Sequence, residues 1–188
     1  MSDIVSQTST QEAPARPRWG RIAAWGGLIV LLAVIGFGLL RVQKGPVSQG
    51  QVVPAFSLST FDGNVIPLSS LTGKVVVVNF WASWCKPCEQ EAADMQSAWK
   101  YYEPGGKVVF LGVDYVDTEP EARGYLAKFG ITYPNGPDLG TRISQAFRIR
   151  GVPETYVVDR SGKLAFFQYG PFSSVDDIKA QIDPLLTP

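Results

Sequence analysis

The sequence holds two cysteines, and both fall in one short motif, Trp84-Cys85-Lys86-Pro87-Cys88. Two residues between the thiols allow a disulfide across a single turn, and such a pair can pass two electrons by thiol–disulfide exchange. The motif follows an apolar run and opens a helical pattern. That context puts Cys85 at a helix N-terminus, where unpaired N–H groups and the positive end of the dipole favour a thiolate. Cys85, ahead of the helix, is expected to be the exposed, attacking sulfur. Cys88, inside the first turn, is expected to be the more buried thiol that resolves the mixed disulfide. Lys86 adds a positive charge nearby, and Pro87, lacking an N–H, stiffens the loop. Three plainer readings compete. A zinc half-site lacks partners, a structural staple gains little from so short a loop, and two unrelated free thiols leave the strand–turn–helix context unexplained.

The rest of the composition narrows the chemistry further. The 188 residues include no His, which removes Ser-His-Asp triads, Cys-His pairs and His-ligated metals, and no metal site is expected. The 17 basic and 17 acidic residues cancel overall. Residues 1–46 carry five basic and two acidic residues, net +3, whereas 47–188 carry 12 and 15, net −3. A mildly acidic domain without a basic cluster argues against nucleic-acid binding.

Ile22–Leu40 contains no charge and is bracketed by Arg21 and Arg41. As a helix at about 1.5 Å per residue it spans roughly 28 Å, close to the ~30 Å hydrocarbon thickness. The sequence therefore predicts a transmembrane anchor over 22–40. A cleaved signal peptide is the rival, but Gly36-Phe37-Gly38 is a poor cleavage site and a polar tail precedes the run. The tail, 1–21, is expected to be disordered and cytoplasmic, since Arg16, Arg18 and Arg21 outnumber Arg41 and Lys44. Residues 41–52 read as a tether and 53–188 as an extracytoplasmic domain at the plasma membrane.

In that domain strand and helix patterns alternate. Phe56–Leu58 and Val65–Leu68 flank a turn at Asp62-Gly63, a hairpin signal. Val75–Trp81 reads as a strand buried on both faces. After Pro87, Cys88, Ala92, Met95, Trp99 and Tyr102 form one helical face, stopped at Pro104-Gly105-Gly106. Val108–Asp114 is a second buried strand, and Thr118 with Glu121 forms a capping box for another helix. A shorter helix is expected over about Thr141–Phe147. Thr155–Asp159 and Leu164–Tyr169 form a hairpin, and Ser174 and Asp177 open a final helix. This order implies an α/β domain with a sheet between helices. Val152-Pro153-Glu154-Thr155 has two readings from its residues alone: a strand-entry proline, or a cis proline beside the active site.

The stretch VVNFWASWCKPCEQEAADM resembles the active-site segment of thioredoxin-like proteins. With GVPETYVVDRSGK it resembles their membrane-anchored TlpA/ResA and DsbE/CcmG branch, over about residues 50–186. The resemblance implies a thioredoxin-like three-layer α/β fold with an N-terminal β-hairpin and a central insertion, which residues 108–130 resemble, preceded by one transmembrane helix. It implies Cys85 as nucleophile, Cys88 as resolving cysteine, Pro153 as the cis-proline, and Val152, Pro153 and Glu154 as the substrate-binding loop. Trp84, with Lys86 and Pro87 in the active-site loop, would cover the disulfide and offer an apolar docking surface, and Trp81 would be core. Thioredoxins usually carry a buried Asp at the position of Asn79, which takes a proton from the second thiol. Asn79 cannot do so, and Asp117 and Glu154 are the candidate proton relays.

What the resemblance implies about function is reduction of extracytoplasmic disulfides, with apocytochrome c as the substrate. Electrons would come from a membrane thiol donor of the DsbD/CcdA kind. The cofactor would be nothing beyond the Cys85–Cys88 disulfide, and the protein would be a monomer. The rivals are a general disulfide oxidase or isomerase, a thiol peroxidase, and a non-catalytic binding module. The peroxidatic Thr-x-x-Cys pattern is missing, since Ser83 and Trp84 precede Cys85.

Overall fold

A computed structural model describes residues 19–42 and 47–187. The expected disordered tail, over 1–18, and the tether, over 43–46, lie outside the described residues. The chain divides into two compact units, 1–44 and 45–188.

The first unit contains helix α1, Trp19–Val42, which starts inside the expected tail. Consecutive residues Leu28, Ile29, Val30, Leu31 and Leu32 are all exposed, so apolar side chains point outward on every face. Among the described residues no helix is long and apolar enough to cross a membrane.

The second unit opens with a two-stranded antiparallel hairpin, β1 (Ser57–Ser59) and β2 (Val65–Pro67). Then follow β3 (Val75–Trp81), α2 (Lys86–Tyr102), β4 (Val108–Asp114), α3 (Glu119–Phe129), β5 (Asn135–Pro137) and α4 (Arg142–Phe147). The hairpin β6 (Glu154–Val158) and β7 (Leu164–Tyr169) and helix α5 (Val175–Ile182) complete it. Five strands form one sheet in the order β5-β4-β3-β6-β7. β3, β4 and β5 run parallel, and β6 and β7 are antiparallel to their neighbours.

β3 lies in the middle with every residue buried. Alternate side chains of a strand face opposite sides, so its two faces feed two cores. Val76, Val78 and Phe80 join Leu58, Leu111, Phe147 and Tyr156 on the hairpin side. Val75 and Val77 join Met95, Ala98, Phe110, Ile178 and Ile182 under α2 and α5. Asn79 and Trp81 share that second face by register, and Trp81 belongs to a third cluster with Cys85, Cys88, Ala92, Ala122 and Tyr125.

Two expectations change. Of the stretch 108–130, Val108–Asp114 is an inner strand of the sheet, so an insertion there could begin only after it. The expected tether also ends early. Gly50 N donates to Leu164 O, Leu164 N to Gln51 O and Val53 N to Gly162 O, and Val52 bridges to Lys163. The reason is that β7 is an edge strand, and this segment pairs with its first residue and the turn before it. β5 has no apolar run to announce it. It pairs with β4 at Gly112↔Asn135, where a Cβ on Gly112 would lie 1.6 Å from Asn135 Oδ1.

Candidate active site

Cys85 and Cys88 are joined in a disulfide at the N-terminus of α2. Cys85 is the N-cap, Pro87 stands in the first turn, and Cys88 N donates to Cys85 Sγ at 3.1 Å. That N–H is one of the donors a helix leaves unpaired at its start, so the sulfur takes the place of a capping oxygen. In the reduced protein the same donor stabilises negative charge on Cys85.

The expected contrast in exposure is corrected: Cys85 is 3% exposed and Cys88 1%. Both sulfurs belong to the apolar cluster of Trp81, Ala92, Ala122 and Tyr125, which closes over the bonded pair. Trp81 stacks on Tyr125 at 4.5 Å, and its indole N–H donates to Asn135 Oδ1 at 2.8 Å, which makes it core. Tyr125 in turn donates its hydroxyl to Cys88 O at 2.9 Å.

Trp84 is 58% exposed beside the buried disulfide, and its indole N–H reaches Val116 O at 3.2 Å. Lys86 points into solvent and pairs with Glu89 at 3.3 Å, which Lys128 approaches equally closely. Those two ammonium groups hold the Glu89 carboxyl below the usual range. The Lys86 charge is thus shared with a carboxylate, which reduces what it contributes at Cys85.

The Val152–Pro153 bond is cis. Val152 packs against the cluster that contains both cysteines. Glu154 is fully buried. Its Oε1 accepts Arg150 N at 2.6 Å and Gly151 N at 3.2 Å, and its Oε2 accepts the Tyr156 hydroxyl at 2.8 Å. Three donors from its own loop and strand engage this carboxylate, so its contacts hold the proline loop in shape. Asp117 is half-buried and accepts both donors of Ser83, N–H at 2.5 Å and Oγ–H at 2.7 Å.

The residue missed in the sequence is Glu91. It lies on the buried face of α2 with Cys88, Ala92 and Met95, and is 1% exposed. Its carboxylate accepts Asn79 Nδ2 at 2.9 Å and Phe172 N at 2.9 Å, while Asn79 also donates to Thr155 Oγ1. Burial outweighs these donors and pushes the carboxyl up to about 7. A signal was present: Glu91 stands one helical turn beyond Cys88, three residues on, where side chains share a face. Asp114, at the end of β4, is likewise raised to about 8, first by burial and then by its hydrogen bond with Asp117. Among the described residues no group of three or more His, Cys, Asp or Glu is placed to hold a metal ion.

A helix-capping disulfide at the end of a central strand, with a cis-proline loop whose Val152 packs on the same apolar cluster, and this strand order define a thioredoxin-like redox protein. The comparisons agree. Residues 49–167 match the AhpC/TSA family, and the chain belongs to it. Thiol-disulfide oxidoreductase ResA of Bacillus cereus is 31% identical over 141 residues, 73% of this chain and 80% of its own. Thiol:disulfide interchange protein HelX of Rhodobacter capsulatus is 33% identical over 169 residues, 85% of this chain and 92% of its own. Among solved structures, a thiol:disulfide interchange protein of Chlorobium tepidum TLS is similar with a TM-score of 0.66 and 31% identity, covering 76% of this chain and 97% of that one. This chain is a thiol–disulfide oxidoreductase, and Cys85 and Cys88 form a disulfide in it.

Proposed function

We propose that the protein works as a reductant of extracytoplasmic disulfides, with apocytochrome c as its substrate, held at the plasma membrane by a single anchor over 22–40. The reduced Cys85 thiolate attacks a target disulfide, forms a mixed disulfide and releases one target thiolate. Cys88 then attacks Cys85 Sγ, releases the second target thiolate and leaves the Cys85–Cys88 disulfide. Two electrons pass from the protein to the target, and a membrane thiol donor of the DsbD/CcdA kind restores the dithiol. No further cofactor and no second subunit enters this cycle.

The observation that carries the reading is the Cys88 N–H aimed at Cys85 Sγ, because it favours the attacking sulfur as an anion and as a leaving group. The direction is supported by location: outside the cytoplasm disulfides form readily, so reduction is the task that needs a dedicated donor. The charge-free run 22–40 and the basic residues before it support the anchor and its orientation. Glu91 is the carboxyl best suited to take the proton of Cys88. It is buried one turn away and raised to about 7, which suits exchange near neutral pH.

Substrate trapping tests the reading. The Cys88→Ser full-length protein, expressed in its own cell, is expected to retain apocytochrome as a stable mixed disulfide through Cys85. Recovery of a broad set of secreted proteins, with a potential near −120 mV as in a strong oxidant, would replace it with a general oxidase.

A further inference from the structure

We propose that Asp117 is a positioning residue for the redox turn: it ties the Ala82–Cys85 turn to the Tyr115–Asp117 turn and so aims Cys85 from outside its own helix. The inference rests on the redox reading given above and deepens it.

The two turns leave neighbouring strands at matched positions, since Trp81 on β3 pairs with Asp114 on β4. Tyr115 N donates to Trp81 O at 2.8 Å, extending that ladder by one bond beyond the strands. Beyond it backbone pairing stops and side chains take over. Both carboxylate oxygens of Asp117 are used on Ser83, one on the main-chain N–H and one on the hydroxyl. Val116 O accepts the Trp84 indole N–H. Ser83 and Trp84 are the two residues immediately before Cys85, so three hydrogen bonds from one turn fix the approach to the nucleophile.

The backbone of that turn is shaped for the task. Val116 adopts φ 55°, the left-handed region that a β-branched residue resists. Its side chain is 59% exposed, so no burial is gained in exchange. What the conformation does is turn the Val116 carbonyl toward Trp84 and place the next carboxylate on Ser83. Behind Asp117 stands Asp114, 2% exposed and hydrogen-bonded to it, and among the described residues its Oδ1 has no partner. Burial favours the neutral form of Asp114, which donates to Asp117 and leaves it the acceptor for both Ser83 groups. Asp117 touches Ser83 and neither sulfur is among its partners, so its effect on the chemistry passes through the loop.

The test compares Asp117→Ala with Asp117→Asn in the full chain. The Asn amide keeps both contacts, its Oδ1 accepting Ser83 N–H and its Nδ2 donating to Ser83 Oγ, while it can neither carry charge nor take a proton. Two readouts are followed: exchange of the Ser83 amide proton, and the rate at which the reduced protein attacks 5,5′-dithiobis(2-nitrobenzoate). Asp117→Ala is expected to speed Ser83 exchange about tenfold or more and to slow thiol attack by a similar factor. Asp117→Asn is expected to restore both to within about threefold. Unchanged Ser83 exchange in Asp117→Ala overturns the tie. So does an Asn variant as slow as the Ala variant, since charge or proton transfer would then be what matters. Should Asp117→Ala not fold, Ser83→Ala removes only the hydroxyl arm and is expected to slow thiol attack by a smaller factor; an unchanged rate overturns the proposal. The redox reading fails separately, by full interchange activity in the Cys85→Ser/Cys88→Ser protein, a result that leaves Ser83 exchange untouched.

Discussion

The two halves of β3 are equally buried and do different work. From Val75 to Val78 the side chains are apolar and pack into two cores. From Asn79 to Trp81 the strand carries an amide and an indole N–H, each with a polar partner fetched from another element. The first half needs only shape and volume. The second needs partners, because a buried polar group left without one is costly. Those partners, Glu91, Thr155 and Asn135, come from α2, β6 and β5, which fixes three elements around the strand end where the disulfide sits. Burial therefore does not separate scaffold from site in this molecule. What separates them is whether the buried side chains carry polar atoms.

The largest effect is expected from removing the chemistry alone. Replacing Cys85 by Ser is expected to abolish thiol–disulfide interchange completely. Near- and far-ultraviolet circular dichroism should remain those of the folded protein, because the closed loop is too short to contribute much chain entropy. Unfolding of this variant at room temperature would mean that the disulfide staples the site end of the sheet.

The scaffold half is probed through Met95, which packs in the core of Val75 and Val77 and is 1% exposed. Met95→Ala is expected to cost about 2–5 kcal/mol in urea unfolding, by the same amount at pH 5 and at pH 8. The folded variant should keep its rate of thiol attack. A large loss of that rate would show that the two halves are coupled.

The polar half responds to pH. Glu91 titrates near 7 in the folded protein against 4.5 when unfolded. The unfolded carboxyl thus releases its proton first, and the stability linked to the neutral form is full below about pH 4.5. It is lost as pH rises through 7, by about 3 kcal/mol in all. Glu91→Gln removes that titration and is expected to flatten the stability curve between pH 5 and 8. The slope that remains is the share of Asp114, which is raised in the same direction. A wild-type stability that climbs over this range would contradict the assignment.

The smallest effect is expected at Lys86. Its ion pair with Glu89 is solvent-exposed on the lysine side. Lys86→Ala should change stability by less than about 0.5 kcal/mol and thiol attack by less than about threefold at 0.15 M salt. A tenfold loss would restore the lysine charge to a leading role in activating Cys85.

Much of this was legible in the residues. The Val75–Trp81 run, the capping box at Thr118 and Glu121, the glycine-bearing turns and the Cys85–Cys88 spacing are local signals, and each element formed where its signal stood. The redox motif was legible for the same reason, since strand, turn and helix N-terminus are contiguous in the chain. β5 was not, because Asn135-Gly136-Pro137 has no strand pattern. It is a strand only because β4 offers it an edge, and Gly136 lets the hairpin pass where a Cβ would lie 2.1 Å from Ser59 O. The segment over 50–52 reads as a tether in the sequence, and its backbone finds partners at the start of β7 and the turn before it.

The residue order alone points to the chemistry, because two thiols three residues apart at a helix start leave little choice of it. How the acids are used depends on the fold. Asp117, Glu154 and Glu91 carry the same functional group, and along the chain only the spacing of Glu91 from Cys88 hints at where any of them lies. Folding gives Asp117 to Ser83 and Glu154 to its own loop, and it leaves Glu91 buried with two donors on the helix of Cys88. A carboxyl's role follows from its burial and its donors, and both are set by which strands and helices meet.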